Sequence, residues 1–323
     1  MSSTATSGRA ATAARPAGGR LPGRRGRADW RAVGAFTLLI APTVIGLGLF
    51  KYVTIGWSFL LSFSEARGTV DLGSWVGLDN YVFLLKDEAF RSSMTGIVLF
   101  TIFIVPVTFG MSLGIAVLLH GIRRGRAFFR TSFLIPAAVS YVVAALIWKM
   151  SLFNGLPSGV ANTIGGLFGW EVQSWISGTD PPLYWIVIVT VRLWLQVGLY
   201  MILFLAGLQA IPLHLYEAAS LDGASRWAQF WHITLPMLRN TSLAILMLIL
   251  IGAFQAFDEF YNVFTTTTGN STAPVRPPLV FLYDTALKGQ DYGVGSAGAF
   301  LLTLLIILVT LLQGRLVGFG RKD

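Results

Sequence analysis

Three features of this 323-residue chain predict an all-α, polytopic transmembrane helical bundle of six spans. Hydrophobic residues make up 54% of it and charged residues only 12%, with a mean hydropathy of +0.67. Ordinary soluble domains carry about a quarter charged residues. The apolar residues are gathered into long blocks, and about 20 residues of helix cross a bilayer. Basic residues crowd into alternate connections between the blocks, which is the charge asymmetry of a multi-pass membrane protein.

Residues 1–31 are Ala, Gly, Ser, Thr, Pro and Arg with almost nothing to bury, which predicts a disordered basic tail. The apolar run that follows is much longer than a signal-peptide core and lacks a small-residue cleavage site, so it stays in the protein. The spans fall at about 32–63, 94–120, 128–151, 183–210, 240–262 and 296–318, leaving 319–323 as a short C-terminus. Sixteen Lys and Arg lie on one side: seven in the tail, four from Arg123 to Arg130, Arg226 and Arg239, and three from Arg315 onward. Five lie on the other: Arg67, Lys86, Arg91, Arg276 and Lys288. The positive-inside rule therefore puts both termini and the connection 211–238 in the cytoplasm. Of the outer connections, 64–93 mixes charges with Trp75, Tyr81 and Phe83, and 152–182 has no Lys or Arg; each is expected to form a small ordered cap. Segment 263–278, with four consecutive threonines, reads as a turn-rich loop. Pro106, Pro136 and Gly198 are candidate bends inside spans, either mobile or static.

Several function classes drop out. There is no cysteine, and His120, His214 and His232 are scattered, so no metal site is expected. The net charge of +9 owes much to the tail arginines, a topology signal rather than a nucleic-acid footprint. No G-x-x-x-x-G-K-[ST] phosphate loop occurs, nor a grouping of serine, histidine and carboxylate suited to catalysis. The chain is expected to bind no cofactor and to be no enzyme by itself.

The connection 211–238 is the most informative stretch. Pro212 suits the first turn of a helix, and Leu213 to Leu221 are good helix formers around the small Ala218 and Ala219. Asp222-Gly223 breaks that helix, since glycine accepts the left-handed conformation that ends one. Asp222 or Ser225 then caps a second helix. There Trp227, Phe230 and Trp231 make one apolar stripe at i, i+3 and i+4, and Pro236 limits its continuation. Taken alone, the stripe suits an amphipathic hairpin at the headgroups. A DNA-reading helix-turn-helix fits poorly, because Arg226 is the segment's lone positive charge.

Glu217-Ala218-Ala219, Asp222-Gly223-Ala224, Phe230, Ile233 and Leu235-Pro236 stand at the spacing of the EAA signature, and in them the chain resembles permease subunits of ATP-binding-cassette importers. Val76-Gly77-Leu78-Asp79-Asn80-Tyr81, Phe129-Arg130-Thr131, Leu146-Ile147-Trp148-Lys149, Leu205-Ala206-Gly207-Leu208-Gln209, and Phe257-Asp258 with Tyr261 are similar to carbohydrate importers of the maltose and glycerol-phosphate type. The likeness covers about residues 32–318. It implies a type I importer permease (MetI-like) fold in a bacterial cell membrane, and a coupling helix docked in a separate ATPase. In it Glu217 bonds the ATPase, Ala218 and Ala219 permit close approach, and Gly223 makes the turn, with Asp222, Ala224 and Pro236 completing the element. The implied partners are a second related permease, an ATPase dimer carrying ATP and Mg, and an extracytoplasmic solute-binding protein. Two departures stand out. The Gly-Gly-Pro usual after the Tyr261 region is absent, and Gly198 stands where many relatives have proline.

A solute path is sought among polar groups inside spans, which are costly there. Arg192 lies roughly 13 Å into span four at the helical rise, accompanied by Trp194 and Gln196. Gln255, Asp258, Glu259 and Tyr261 gather near the end of span five. Aromatic faces, amides and carboxylates are the chemistry of sugar recognition. Equally, Arg192 is placed to pair with Asp258, while Trp148, Trp194 and Tyr261 suit an interface belt and Lys149 can snorkel. Two rivals from other classes are a gradient-driven secondary carrier or channel, which needs acidic residues deep in the bilayer, and a membrane anchor for a cytoplasmic complex.

Overall fold

A computed structural model describes residues 30–122, 124–177, 182–264 and 276–316. Most of the tail, residues 265–275 of the turn-rich loop and the C-terminus 319–323 lie outside them. Among the described residues five helices are long and apolar enough to cross a membrane, and a bent helix pair makes a sixth span. The all-α class and the six-span membrane architecture hold.

The chain divides into two units, residues 1–55 and 56–323. The first contributes α1 (Trp30–Leu47, with Pro42 inside) and a π-helical turn, Gly48–Val53. With α2 (Thr54–Leu61) these residues make the first span, Val33–Leu61. In the larger unit, α3 (Asp79–Lys86) leads to α4 (Glu88–Gly121), capped by the Asp87 carboxylate accepting from the Phe90 N–H at 2.7 Å. The core is α4 against α8 (Tyr184–Gln209). Phe100 stacks on Trp185 at 5.9 Å, Phe109 meets Phe204 edge-on at 5.1 Å, and the Ser112 hydroxyl donates to the Val197 carbonyl at 3.2 Å.

The candidate bends behave differently from one another. Pro106 sits inside an unbroken α4. Gly198 likewise leaves α8 continuous, and its hydrogen side chain serves contact: a Cβ there would lie 1.7 Å from the Phe133 carbonyl oxygen. The span that holds Pro136 does break, a few residues beyond the proline. The predicted single run 128–151 is two pieces, Arg126–Ala138 and Tyr141–Leu152, bent by 93°. Pro136 lies in a 3-10 turn, Ile135–Ala138, between α5 (Arg126–Leu134) and α6 (Tyr141–Ile147), and Val139 and Ser140 are extended.

The described residues of connections 64–93 and 152–182 are held by side-chain hydrogen bonds. In the first, Asn80 donates to the carbonyls of Ser62 and Ser64, each at 3.0 Å, and Arg67 pairs with Asp291 at 3.0 Å. In the second, which holds α7 (Val160–Leu167), Asn162 donates to the carbonyls of Leu156 and Gln173 and accepts from the Trp175 indole at 2.8 Å. That one buried amide ties together Leu156, Gln173 and Trp175.

Candidate functional site

The connection 211–238 folds as a stapled hairpin. Helix α9 (Leu213–Leu221) begins one residue later than its sequence suggests, with Pro212 at the cap in an extended conformation (ψ 130°). It ends in two reverse bonds: the Ala224 N–H donates to the Ala219 carbonyl at 2.9 Å, and the Gly223 N–H to Ser220 at 3.2 Å. Gly223 has φ +77°, the left-handed region this closure requires. Ser225, not Asp222, caps α10 (Arg226–Gln229), accepting from the Ala228 N–H at 3.2 Å.

Residues that the motif does not single out tie the legs together. The Gln229 amide donates to the Ser220 hydroxyl at 3.0 Å and the Ala224 carbonyl at 3.2 Å, and the hydroxyls of Tyr216 and Thr234 meet at 2.9 Å. Trp227, Phe230 and Trp231 contact one another, the nearest ring centroids 5.5 Å apart. A π-helical turn, Phe230–Thr234, absorbs the strain before α11 (Leu235–Met237), which carries Pro236. Glu217, Ala218, Asp222, Gly223 and Pro236 are exposed, with Ala219 and Ala224 half-buried beside them. At the tip Leu221 is 90% exposed and Trp227 70%. The hairpin thus presents a carboxylate, a shallow alanine step and an aliphatic knob on a rigid frame.

A second polar group lies where span five breaks. Helix α12 (Arg239–Phe254) stops at Gln255, and α13 (Asp258–Phe264) restarts three residues on. The Ala256 N–H turns back to Ala253 at 3.2 Å, so the Gly252 carbonyl loses its helical donor. Arg192 supplies one, donating from Nη2 at 2.5 Å. Its Nη1 pairs with Glu259, and its guanidinium lies 5.5 Å from the centre of the Phe100 ring. The cation sits at the C-terminal end of one half-helix and the carboxylate in the first turn of the next, each where the backbone dipoles favour it. Both side chains are buried. The expected pairing of Arg192 with Asp258 is therefore wrong: Asp258 points outward, and the phase at which α13 restarts turns Glu259 inward.

The remaining candidates separate accordingly. Gln255 and Asp258 are exposed and Tyr261 half-exposed, Gln255 before the break and the other two in α13. Tyr261 stacks on Phe257 at 5.2 Å and meets Tyr283 at 5.1 Å. Lys288 lies over both tyrosine rings at 5.1 and 5.5 Å and pairs with Asp284 at 3.0 Å. The Asp284 carboxylate holds the Lys288 ammonium above the usual lysine range. Trp194 packs on Trp148 at 5.1 Å, and Gln196 lies beside Tyr141.

A family model for the binding-protein-dependent transport system inner membrane component matches residues 106–318, which include the hairpin and the break. The chain belongs to that family. The permease is 31% identical, over 87% of its length and 88% of the relative's, to the arabinooligosaccharides transport system permease protein AraP of Bacillus subtilis. It is 29% identical to the sn-glycerol-3-phosphate transport system permease protein UgpA of Agrobacterium fabrum, over 87% and 93%. Its fold matches a bacterial ABC transporter involved in import of the acidic polysaccharide alginate, with a TM-score of 0.76 over 91% of this chain and 99% of that one, at 23% identity. It is an importer permease subunit of MetI-like fold.

Proposed function

We propose that this permease carries a sugar, or a related polyol or sugar phosphate, across a bacterial cell membrane, driven by ATP hydrolysed on a separate ATPase dimer that holds the nucleotide and Mg. It pairs with a second, related permease, and a solute-binding protein docks on connections 64–93 and 152–182, with both termini in the cytoplasm. The carbohydrate class is supported by what the relatives are named for, and by a related structure described with an alginate pentasaccharide-bound periplasmic protein.

The observation that carries the coupling role is the hairpin itself. Glu217, Ala218, Asp222 and Gly223 are exposed on a frame fixed by Gln229 and Tyr216, at the end of α8 and the start of α12. Glu217 accepts hydrogen bonds from the ATPase, and Ala218 and Ala219 let the surfaces approach. Closure of the ATPases draws the hairpins of the two permeases together. Spans four and five follow as levers and open the cavity outward to receive solute. Gln255, Asp258 and Tyr261 are the groups placed to meet it, with Trp194 and Gln196 further along, while Arg192 positions the break. A gradient-driven carrier is disfavoured on the described residues, because Glu259 is neutralised by Arg192 and Asp258 lies on an exposed face.

Glu217→Lys and Gly223→Pro, in membranes co-expressing the partners, are expected to leave insertion intact and to uncouple ATP hydrolysis from uptake. Proline cannot adopt the φ of +77° at position 223. Undiminished coupled transport by both variants overturns the proposal.

A further inference from the structure

The connection between α4 and α5 concentrates positive charge with no acidic residue near it in sequence. Arg123, Arg124, Arg126 and Arg130 fall within eight residues, and no Asp or Glu occurs from Ala89 to Trp170. Arg126 is committed to the backbone. Its Nε donates to the Ile122 carbonyl at 3.1 Å and its Nη2 to that of His120, closing the C-terminal end of α4.

Arg130 is not committed. Its Nε is shut off from solvent without a hydrogen-bond partner, and the Nδ1 of His120 is in the same condition. The guanidinium groups of Arg126 and Arg130 both lie within electrostatic reach of His120. Burial of a charged group without an acceptor is destabilising, and Arg130 is only half-buried, so an acceptor from outside the chain can meet the rest of its guanidinium. The surroundings say what kind. Phe128 is 70% exposed and Phe129 40%, their rings 5.6 Å apart, while the far end of α5 packs on α8 at Gly198. The helix thus enters the apolar layer with its basic end at the edge and bare aromatic rings beside it.

We infer that this turn holds the phosphate of an anionic phospholipid headgroup. Arg130 is the principal donor, His120 and the exposed Arg124 flank it, and the rings of Phe128 and Phe129 lie against the acyl chains. An acidic group of a protein partner, or inorganic phosphate, would satisfy Arg130 and leave the rings bare. A lipid satisfies both, and basic sites at helix ends are where such headgroups bind. The inference needs only that the chain spans a membrane and is independent of the Glu217 coupling role.

Native mass spectrometry of the full chain tests it, after equilibration in mild detergent with phosphatidylglycerol or phosphatidylcholine. Wild type is expected to retain phosphatidylglycerol in preference, Arg130→Gln to retain about five-fold less, and Arg130→Lys to fall between them. Excess inorganic phosphate should leave the lipid bound. If Arg130→Gln does not fold, Arg124→Gln and Phe128→Ala, both at exposed positions, should each lower retention. Equal retention by wild type and the variants, or no preference over phosphatidylcholine, overturns the inference. Displacement by phosphate would assign the site to the free ion, and loss of a co-purifying protein with lipid unchanged would assign it to that partner; either result overturns the lipid.

Discussion

The hairpin after α8 and the break in span five are both places where a helix stops and restarts, yet they are held by opposite means. At the hairpin, backbone and near neighbours do everything: Gly223 turns the chain, Ala219 and Ser220 accept the reversed bonds, and Ser225 starts the next helix. At the break, the freed Gly252 carbonyl is satisfied by Arg192, sixty residues away on another span. The difference follows from the solvent each faces. Exposed helix ends can draw on water, whereas inside a bilayer every freed backbone group must find a protein partner. One break is consequently closed by local bonds at an exposed turn, and the other is welded into the core.

The largest effect is expected from unwelding the break. Arg192→Leu or Glu259→Leu leaves one buried charge alone, and removing a single partner of such a pair costs about 3–5 kcal/mol. Both single variants should show a markedly lower unfolding temperature in detergent. The double variant, Arg192→Leu with Glu259→Leu, should regain part of the loss, because no buried charge remains and only the Gly252 carbonyl is left without its donor. A double variant as unstable as the singles would show that the pair positions the half-helices through geometry that leucines do not replace.

A smaller and more diagnostic contrast comes from one substitution at two glycines. In Gly198→Ala the new methyl meets the Phe133 carbonyl at 1.7 Å, and backbone must move, at about 1–3 kcal/mol. In Gly223→Ala nothing lies within 4 Å, and the cost is the left-handed conformation alone, about 1 kcal/mol. Thermal unfolding should register the first. The second should register far less there and more in proteolysis at the exposed tip around Leu221 and Gly223.

The same contrast explains what could be read in advance. The apolar runs are legible because each is a local statistic of some twenty residues, and the hairpin is legible because its stop and start signals are local chemistry at Asp222-Gly223 and Ser225. The partner of Arg192 is not. Asp258 and Glu259 are chemically alike and about 100° apart on a helix, so the choice rests on the phase at which α13 restarts, which the core residues Phe260 and Val263 set. Prolines show the limit too. The span of Pro136 bends by 93° beyond that residue and Pro106 does not interrupt α4, although the two look alike in sequence. Packing around each, a long-range property, decides.

The finest test concerns Gln229, which no motif marks. Its amide spans the two legs, donating to Ser220 and Ala224. Gln229→Ala removes both bonds at an edge reached by water, so the cost is about 1 kcal/mol, too little to shift global unfolding by much. If the hairpin transmits force as a rigid body, even that loosening should lower uptake per ATP hydrolysed while insertion and ATPase binding persist. If contact through Glu217 and Leu221 suffices, uptake per ATP should not change. Gln229→Glu separates the bonds further, because a carboxylate cannot donate to the Ala224 carbonyl and keeps a Ser220 bond only by accepting from a hydroxyl that now donates to the Tyr216 carbonyl. An intermediate coupling ratio would then assign the stiffness to both legs of the staple, and a ratio equal to that of Gln229→Ala would assign it to the Ala224 bond at the corner.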